Sequence, residues 1–365
     1  MMQASSRQIE ARSHYCAIDF LKVFAAQIII LHHSVSYGQL AEQLRLVTPE
    51  LVGFLYDYGR YAVQIFLVMA GYLAAQSLGK MGITNPSQSR AMQVMQLALR
   101  RYLRLLGPYL VALLITILCA AIARHWLSDE YVGQAETIPQ LLAHVFLLHG
   151  LLGYESISAG AWYIAIDWQL YTSLAILLAA FPGRGKQITI LLLLMLLSLF
   201  YFNRNTAFEN YFIYFIGSYG LGAIAYWASD RRIRKLFLVV GLVIAASAIH
   251  SVWLRNYVAL ATAIMLLYAG QWTCAAQVHG GHLMHGVMRC LQWASARSYC
   301  AFLIHFALIL LANTAWVALH LQGFVAALGL LGLVSLLSWL AADGLYCWVE
   351  LPAGRFRPRI LFPST

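Results

Sequence analysis

Residues 17–34 read Ala-Ile-Asp-Phe-Leu-Lys-Val-Phe-Ala-Ala-Gln-Ile-Ile-Ile-Leu-His-His-Ser. The run is long and apolar enough for a membrane helix, yet it carries Asp19, Lys22, His32 and His33. Ionisable side chains in hydrocarbon are costly unless they have a partner or a task. At about 100° per residue, the eleven steps from Lys22 to His33 return to within about 20° of the same helix face. The rise between them is about 16 Å, roughly half of a bilayer's hydrocarbon core. One face therefore carries a cation near one end and an imidazole much deeper, with Asp19 below Lys22 on the same side. His32 points about 100° away.

The rest of the chain agrees with a membrane reading. Of 365 residues, 61% are hydrophobic and 10% charged, where a soluble domain carries about 25% charged residues. The expected fold is an all-α, polytopic transmembrane helical bundle formed as a single domain over residues 1–365. Apolar windows place about ten spans, at 17–37, 58–79, 102–123, 160–181, 187–203, 210–229, 235–252, 256–273, 298–319 and 324–348. The stretch 138–153 is too short to span and reads as a re-entrant or interfacial helix on the outer side. Residues 17–37 read as an uncleaved first helix, because no small-residue cleavage site follows them. The six cysteines are scattered without a C-x-x-C and read as packing residues or reduced thiols.

The net charge of +10 does not point to nucleic acid, since the basic residues sit in short clusters between apolar runs. They read as topology anchors in contact with membrane lipids. Eighteen of the 24 Lys and Arg residues fall in one alternating set of segments, five in the other, and Lys22 lies within the first helix. That bias puts both termini in the cytoplasm. Glu42, Glu136 and Glu209 fall on the outer side by the same alternation.

His33 admits two readings: a histidine hydrogen-bonded between helices, or a general base, since imidazole is suited to proton transfer near neutral pH. Lys22 and Asp19, one turn apart, can neutralise each other, and Lys22 can also meet an anionic ligand. Arg100, Arg101 and Arg104 cluster at the cytoplasmic end of the third span. Arg100 reads as an anchor. Arg101 and Arg104 share a face at i,i+3, an arrangement that suits bidentate phosphate binding, and a phosphate-rich cytosolic donor such as coenzyme A fits there. Asp167, in A-W-Y-I-A-I-D-W-Q-L-Y, is a buried carboxylate that needs a partner. His305 has a packing reading and a site reading of equal standing. His279, His282 and His285 read as a solvated loop rather than metal ligands, and no metal site is expected. There is no serine elbow, zinc-protease motif or phosphate-binding glycine loop.

Taken in order, these motifs resemble the acyltransferase-3 family of bacterial membrane O-acyltransferases. Lys22 through His33 is similar to that family's basic residue, ten residues, then histidine; lysine stands where arginine is commoner. I-F-L-V-M-A-G-Y-L resembles F-F-x-x-S-G-Y-L, with Gly71, Tyr72 and Leu73 matching and Ala70 in place of serine. Arg101–Arg104 resembles R-x-x-R. The stretch from Trp162 to Tyr171 resembles W-x-L-S-V-E-x-Q-F-Y, with Asp167 for glutamate and Ala165 for serine. L-I-H ending at His305, and Glu350–Pro352, resemble the late L-x-x-H and terminal E-x-P. The matches run over residues 17–352.

The resemblance implies an O-acetyltransferase of the bacterial inner membrane. Acetyl-coenzyme A is its donor substrate, entering from the cytoplasm, and no cofactor is bound permanently. The acceptor, reached from the periplasmic side, is a sugar hydroxyl of an exopolysaccharide, another surface glycan or its lipid-linked oligosaccharide precursor. Polysaccharide assembly machinery is an implied partner. His33 and Asp167 are the expected catalytic residues; Lys22, Arg101 and Arg104 are the expected donor-binding residues. Asp167 is expected to orient the acceptor or an imidazolium. The alternative from a different class is a secondary transporter or lipid-linked sugar carrier that uses the same buried charges as a proton relay.

Overall fold

The computed structural model describes residues 2–81, 89–128, 130–247, 253–269 and 282–355. Its helices are α1 (Met2–Ser34), α2 (Gly38–Val47), α3 (Pro49–Tyr58), α4 (Val63–Met81), α5 (Arg90–Ala123), α6 (Ile138–Val145) and α7 (Ala161–Ala180). They continue with α8 (Arg184–Phe200), α9 (Phe212–Trp227), α10 (Arg231–Ser247), α11 (Trp253–Tyr268), α12 (His282–Ala318) and α13 (Phe324–Leu345). A π-helical turn, Tyr346–Glu350, leads into the short α14 (Leu351–Arg355). No strand occurs among the described residues. The protein is an all-α polytopic helical bundle. Seven described helical segments are long and apolar enough to cross a membrane, and Phe212–Trp227 and Leu254–Tyr268 are shorter apolar helices. The expected span at 235–252 coincides with α10 up to Ser247; its last residues lie outside the described ones. His279 lies outside them too, and His285 falls in α12.

Between the first two expected spans the chain is helical over Gly38–Val47 and Pro49–Tyr58. Pro49 sits in the first turn of α3, where its missing N–H is no loss. The hairpin of α2 and α3 buries Leu40, Leu44 and Val52 against Val35, Trp316 and Ala327. It leaves Leu46, Leu51 and Phe54 exposed, as an interfacial element does. Helix α6 begins with a reciprocal cap: the Thr137 hydroxyl accepts from the Gln140 backbone N–H, and the Gln140 side-chain Oε1 accepts from the Thr137 backbone N–H. At eight residues it is too short to span.

The chain divides into two compact units. The first comprises Met1–Val23, Val63–Arg101 and Ile166–Ser295; the second comprises Phe24–Ala62, Tyr102–Ala165 and Ala296–Thr365. In the first unit, α4 and α9 cross with their backbones in contact. A Cβ on Gly71 would fall on the Tyr219 carbonyl, and one on Gly222 would fall on the Val68 carbonyl. The glycine of the G-Y-L motif is thus a close-approach residue, and the serine replaced by Ala70 is not needed for this crossing. In the second unit, the core under the α2–α3 hairpin is aliphatic except for Trp316.

Candidate functional site

The expected site residues fall into two groups, one in each unit. In the first unit, α5 presents Arg101 to Asp167 near the start of α7. Arg101 Nε and Nη2 both donate to Asp167 Oδ2, at 3.0 and 2.6 Å. The carboxylate is 2% exposed, so the arginine supplies the partner that its burial requires. The guanidinium carbon stands 5.3 Å from the centre of the Tyr171 ring, one helical turn beyond Asp167. The Tyr171 hydroxyl lies near Ser77 on α4, whose own hydroxyl donates to the Ala74 carbonyl at 3.1 Å. The Trp168 indole N–H donates to the Ala98 carbonyl at 2.9 Å and ties the two helices together just below. Asp167 therefore holds an arginine in place, and no local pattern links the two residues across 66 positions.

Also in the first unit, Asp19 accepts a hydrogen bond from the Ser295 hydroxyl at 2.5 Å, and the Lys22 charge acts on the same carboxylate. Ser295 is a partner of Asp19 that the sequence did not suggest.

In the second unit, the two adjacent histidines separate as their helical phases require. His32 turns to α3, where its Nδ1 meets the Leu55 carbonyl at 2.9 Å and Gly59 lies against its side chain. His33 turns to α12. Its ring centre is 5.2 Å from that of His305 and 5.6 Å from that of Tyr37, near-parallel to both at 26° and 13°. Its Nδ1 is buried and makes no hydrogen bond. His305 is fully buried; it lies near the carbonyls of Ala301 and Phe302 without a hydrogen bond of good geometry to either. Among the described residues of this unit, the rings of His32, Tyr37 and His305 adjoin His33. Arg104 is in this unit and is exposed.

The turn after α1 is built to hold Tyr37 beside His33. Asn313, wholly buried on α12, donates from Nδ2 to the Tyr37 carbonyl at 3.3 Å and to the Ile309 carbonyl at 3.1 Å. Its Oδ1 accepts from the Leu40 N–H at 3.2 Å. Gly38 follows with φ +78°, and a Cβ there would strike the Asn313 amide. Only glycine meets both demands. Tyr37 packs in turn against Tyr131 and Phe306, and burial pushes its phenol pKa up, so the hydroxyl stays protonated. Sequence reasoning overlooked Tyr37 and Asn313. The available signal for Asn313 was a lone amide in the apolar run L-I-L-L-A-N-T-A-W-V.

A second pair of imidazoles lies in the segment 138–153. His144 and His149 stack face to face, 4.1 Å between centres and 9° between planes. His144 Nδ1 donates to the Gln140 carbonyl at 2.9 Å while Nε2 accepts from the Ile157 N–H at 3.2 Å, which fixes a neutral tautomer. Burial lowers the pKa of His144, and that of His149 to about 3, with the neighbouring His144 adding to the latter shift.

Seven helical segments long and apolar enough to cross a membrane, with a buried, unbonded imidazole nitrogen beside a second histidine and an arginine paired with a buried carboxylate among them, define a multi-pass membrane protein. The model of the acyltransferase-3 family, described as an acyltransferase domain, matches residues 16–343. The chain belongs to that family, and it is an acyl-transferring enzyme of the membrane. No curated protein and no solved structure matches it.

Proposed function

We propose that the protein transfers acetyl from cytosolic acetyl-coenzyme A to a sugar hydroxyl of a surface glycan, or of its lipid-linked precursor, in a bacterial inner membrane. The observation that carries this reading is His33: a buried nitrogen without a hydrogen bond, on a helix that also bears Lys22 eleven residues earlier. The helical rise from Lys22 to His33, about 16 Å, is about the length of a pantetheine arm, and Lys22, Arg101 and Arg104 are each proposed as ligands of the donor's phosphates. Donor and acceptor can then be admitted from opposite sides.

In direct transfer the acceptor oxygen attacks the thioester carbonyl carbon. The C–O bond forms as the C–S bond breaks, and the hydroxyl proton passes to His33 and then to the departing thiolate. The products are the sugar ester and free coenzyme A. The rings of His305 and Tyr37 offer π faces to the imidazolium that forms transiently on His33. Asp167 serves the donor side by fixing Arg101.

Structural analysis of the cell's surface polysaccharide, with and without this protein, tests the proposal. Loss of one O-acetyl group on deletion, restored by the intact gene, is the expected result. An unchanged ester pattern together with altered uptake or export of a solute would point to transport instead.

A further inference from the structure

Arg255, in the first turn of α11 as described, is 8% exposed. Its charge meets no carboxylate among the described residues. Nη1 donates to the Tyr214 hydroxyl at 3.2 Å and Nη2 to the Asn203 carbonyl at 3.0 Å. The guanidinium carbon is 5.4 Å from the Tyr214 ring centre. Those contacts use two of the five N–H groups of an arginine, and the Nε–H is buried without a partner. Asn203 is itself buried, with its Oδ1 unpartnered. Glu209, the acidic side chain nearest in sequence to Asn203, and Asp230, the one nearest in sequence to Arg255, are both exposed, and neither makes an ion pair among the described residues. The segment 248–252 reads Ala-Ile-His-Ser-Val and contributes no carboxylate.

A guanidinium cannot shed its proton to escape burial. A π face and two neutral oxygens offset only part of the cost of taking such a charge out of water. The position suggests what completes it. Arg204 ends the apolar span Arg184–Arg204, and Arg255 is the second residue of the apolar helix Leu254–Tyr268. The ends of apolar helices lie at the depth of lipid headgroups. Arg204 is exposed, its Nε on the Leu199 carbonyl at 3.3 Å, and adds a second cation beside the same turn.

We propose that Arg255, with Arg204 next to Asn203 in the chain, forms a binding site for a phosphate group at this end of the first unit. The Nε–H and the adjacent uncommitted Nη N–H groups supply the fork that a phosphate's oxygens accept from. The phosphate comes from a phospholipid headgroup or from a free or substrate-borne phosphate. The site is independent of the acyl-transfer reading above.

Thermal unfolding of the delipidated full chain in detergent tests the site and separates the sources. The probes are inorganic phosphate at constant ionic strength, phosphatidylglycerol in mixed micelles, and diacylglycerol as the phosphate-free control. A saturable rise of roughly 2–5 °C is expected with a phosphate-bearing probe and not with diacylglycerol. A response to inorganic phosphate identifies a free-phosphate site; a response to phosphatidylglycerol alone identifies a headgroup site. Arg255→Gln should abolish the rise, and Glu209→Gln should leave it intact. Should Arg255→Gln fail to fold, Arg255→Lys keeps the charge without the fork and should need about tenfold more ligand for the half-maximal shift. No rise in the native protein, the same rise in Arg255→Gln, an unaltered half-maximal concentration in Arg255→Lys, or loss of the rise in Glu209→Gln would overturn the proposal.

Discussion

At the scale of single residues, helical phase told two adjacent histidines apart, but it did not find their partners. His32 spends its Nδ1 on a carbonyl, whereas the Nδ1 of His33 remains uncommitted. His33→Ala should therefore lower ester formation by on the order of 10²–10⁴-fold, the usual worth of a general base. His32→Ala should cost stability more than rate. Radiolabelled acetyl incorporation at matched protein levels makes the comparison, and near-normal incorporation in His33→Ala would remove it from the reaction. Asp167 yields a different expectation. Because it positions Arg101, Asp167→Asn should raise the KM for acetyl-coenzyme A in the same direction as Arg101→Gln, and the double variant should be little worse than either single one. An effect confined to the acceptor KM would return Asp167 to the acceptor side. The two residues are 66 positions apart, so only the need of a buried carboxylate for a cation could be read in advance, not which cation met it.

At the scale of elements, the apolar windows located helices well where polarity changes sharply at both ends. The windows 160–181 and 324–348 correspond to Ala161–Ala180 and Phe324–Leu345. They failed where a helix runs on through polar sequence. Helix α5 begins at Arg90 rather than 102, because its first turns carry Arg, Gln and Met, good helix formers with low hydropathy. The α2–α3 hairpin was missed because a ten-residue helix is too short for a membrane-length window. The segment 138–153 was recognised as non-spanning, but its histidine stack was not, since the positive φ of Leu147 folds the chain back between the two rings. That stack sets a pH response. His149 titrates near 6.5 when unfolded and at about 3 when folded, so between those values the unfolded chain binds more protons. Stability contributed by the neutral stack is full above about pH 6.5 and falls as the pH drops, by at most about 1.4 kcal/mol per pH unit for this one group. In detergent, the melting temperature of His149→Phe should fall less steeply between pH 6.5 and 4.5 than that of the native protein. Parallel slopes would mean that the stack does not govern acid sensitivity.

At the scale of the whole molecule, class and family were legible because composition, charge alternation and the order of motifs are properties of the entire chain. The 18-to-5 bias of basic residues carries an expectation of sidedness: loops around Arg184 and Arg232 face the cytoplasm, and those around Glu42 and Glu209 face the periplasm. Single cysteines introduced into a cysteine-free background should react with an impermeant thiol reagent in intact cells only at the second set. Reaction near Arg232 would invert the protein and remove Arg101 and Arg104 from the cytosolic donor. The contact of Gly71 and Gly222 with the facing carbonyls carries a different consequence. Side chains act as bearings, letting neighbouring helices slip by changing rotamers. At Gly71 and Gly222 there is none to turn, and the two main chains are keyed like a mortise joint. Helices α4 and α9 are therefore expected to move together, and an opening that admits a substrate is expected to hinge elsewhere.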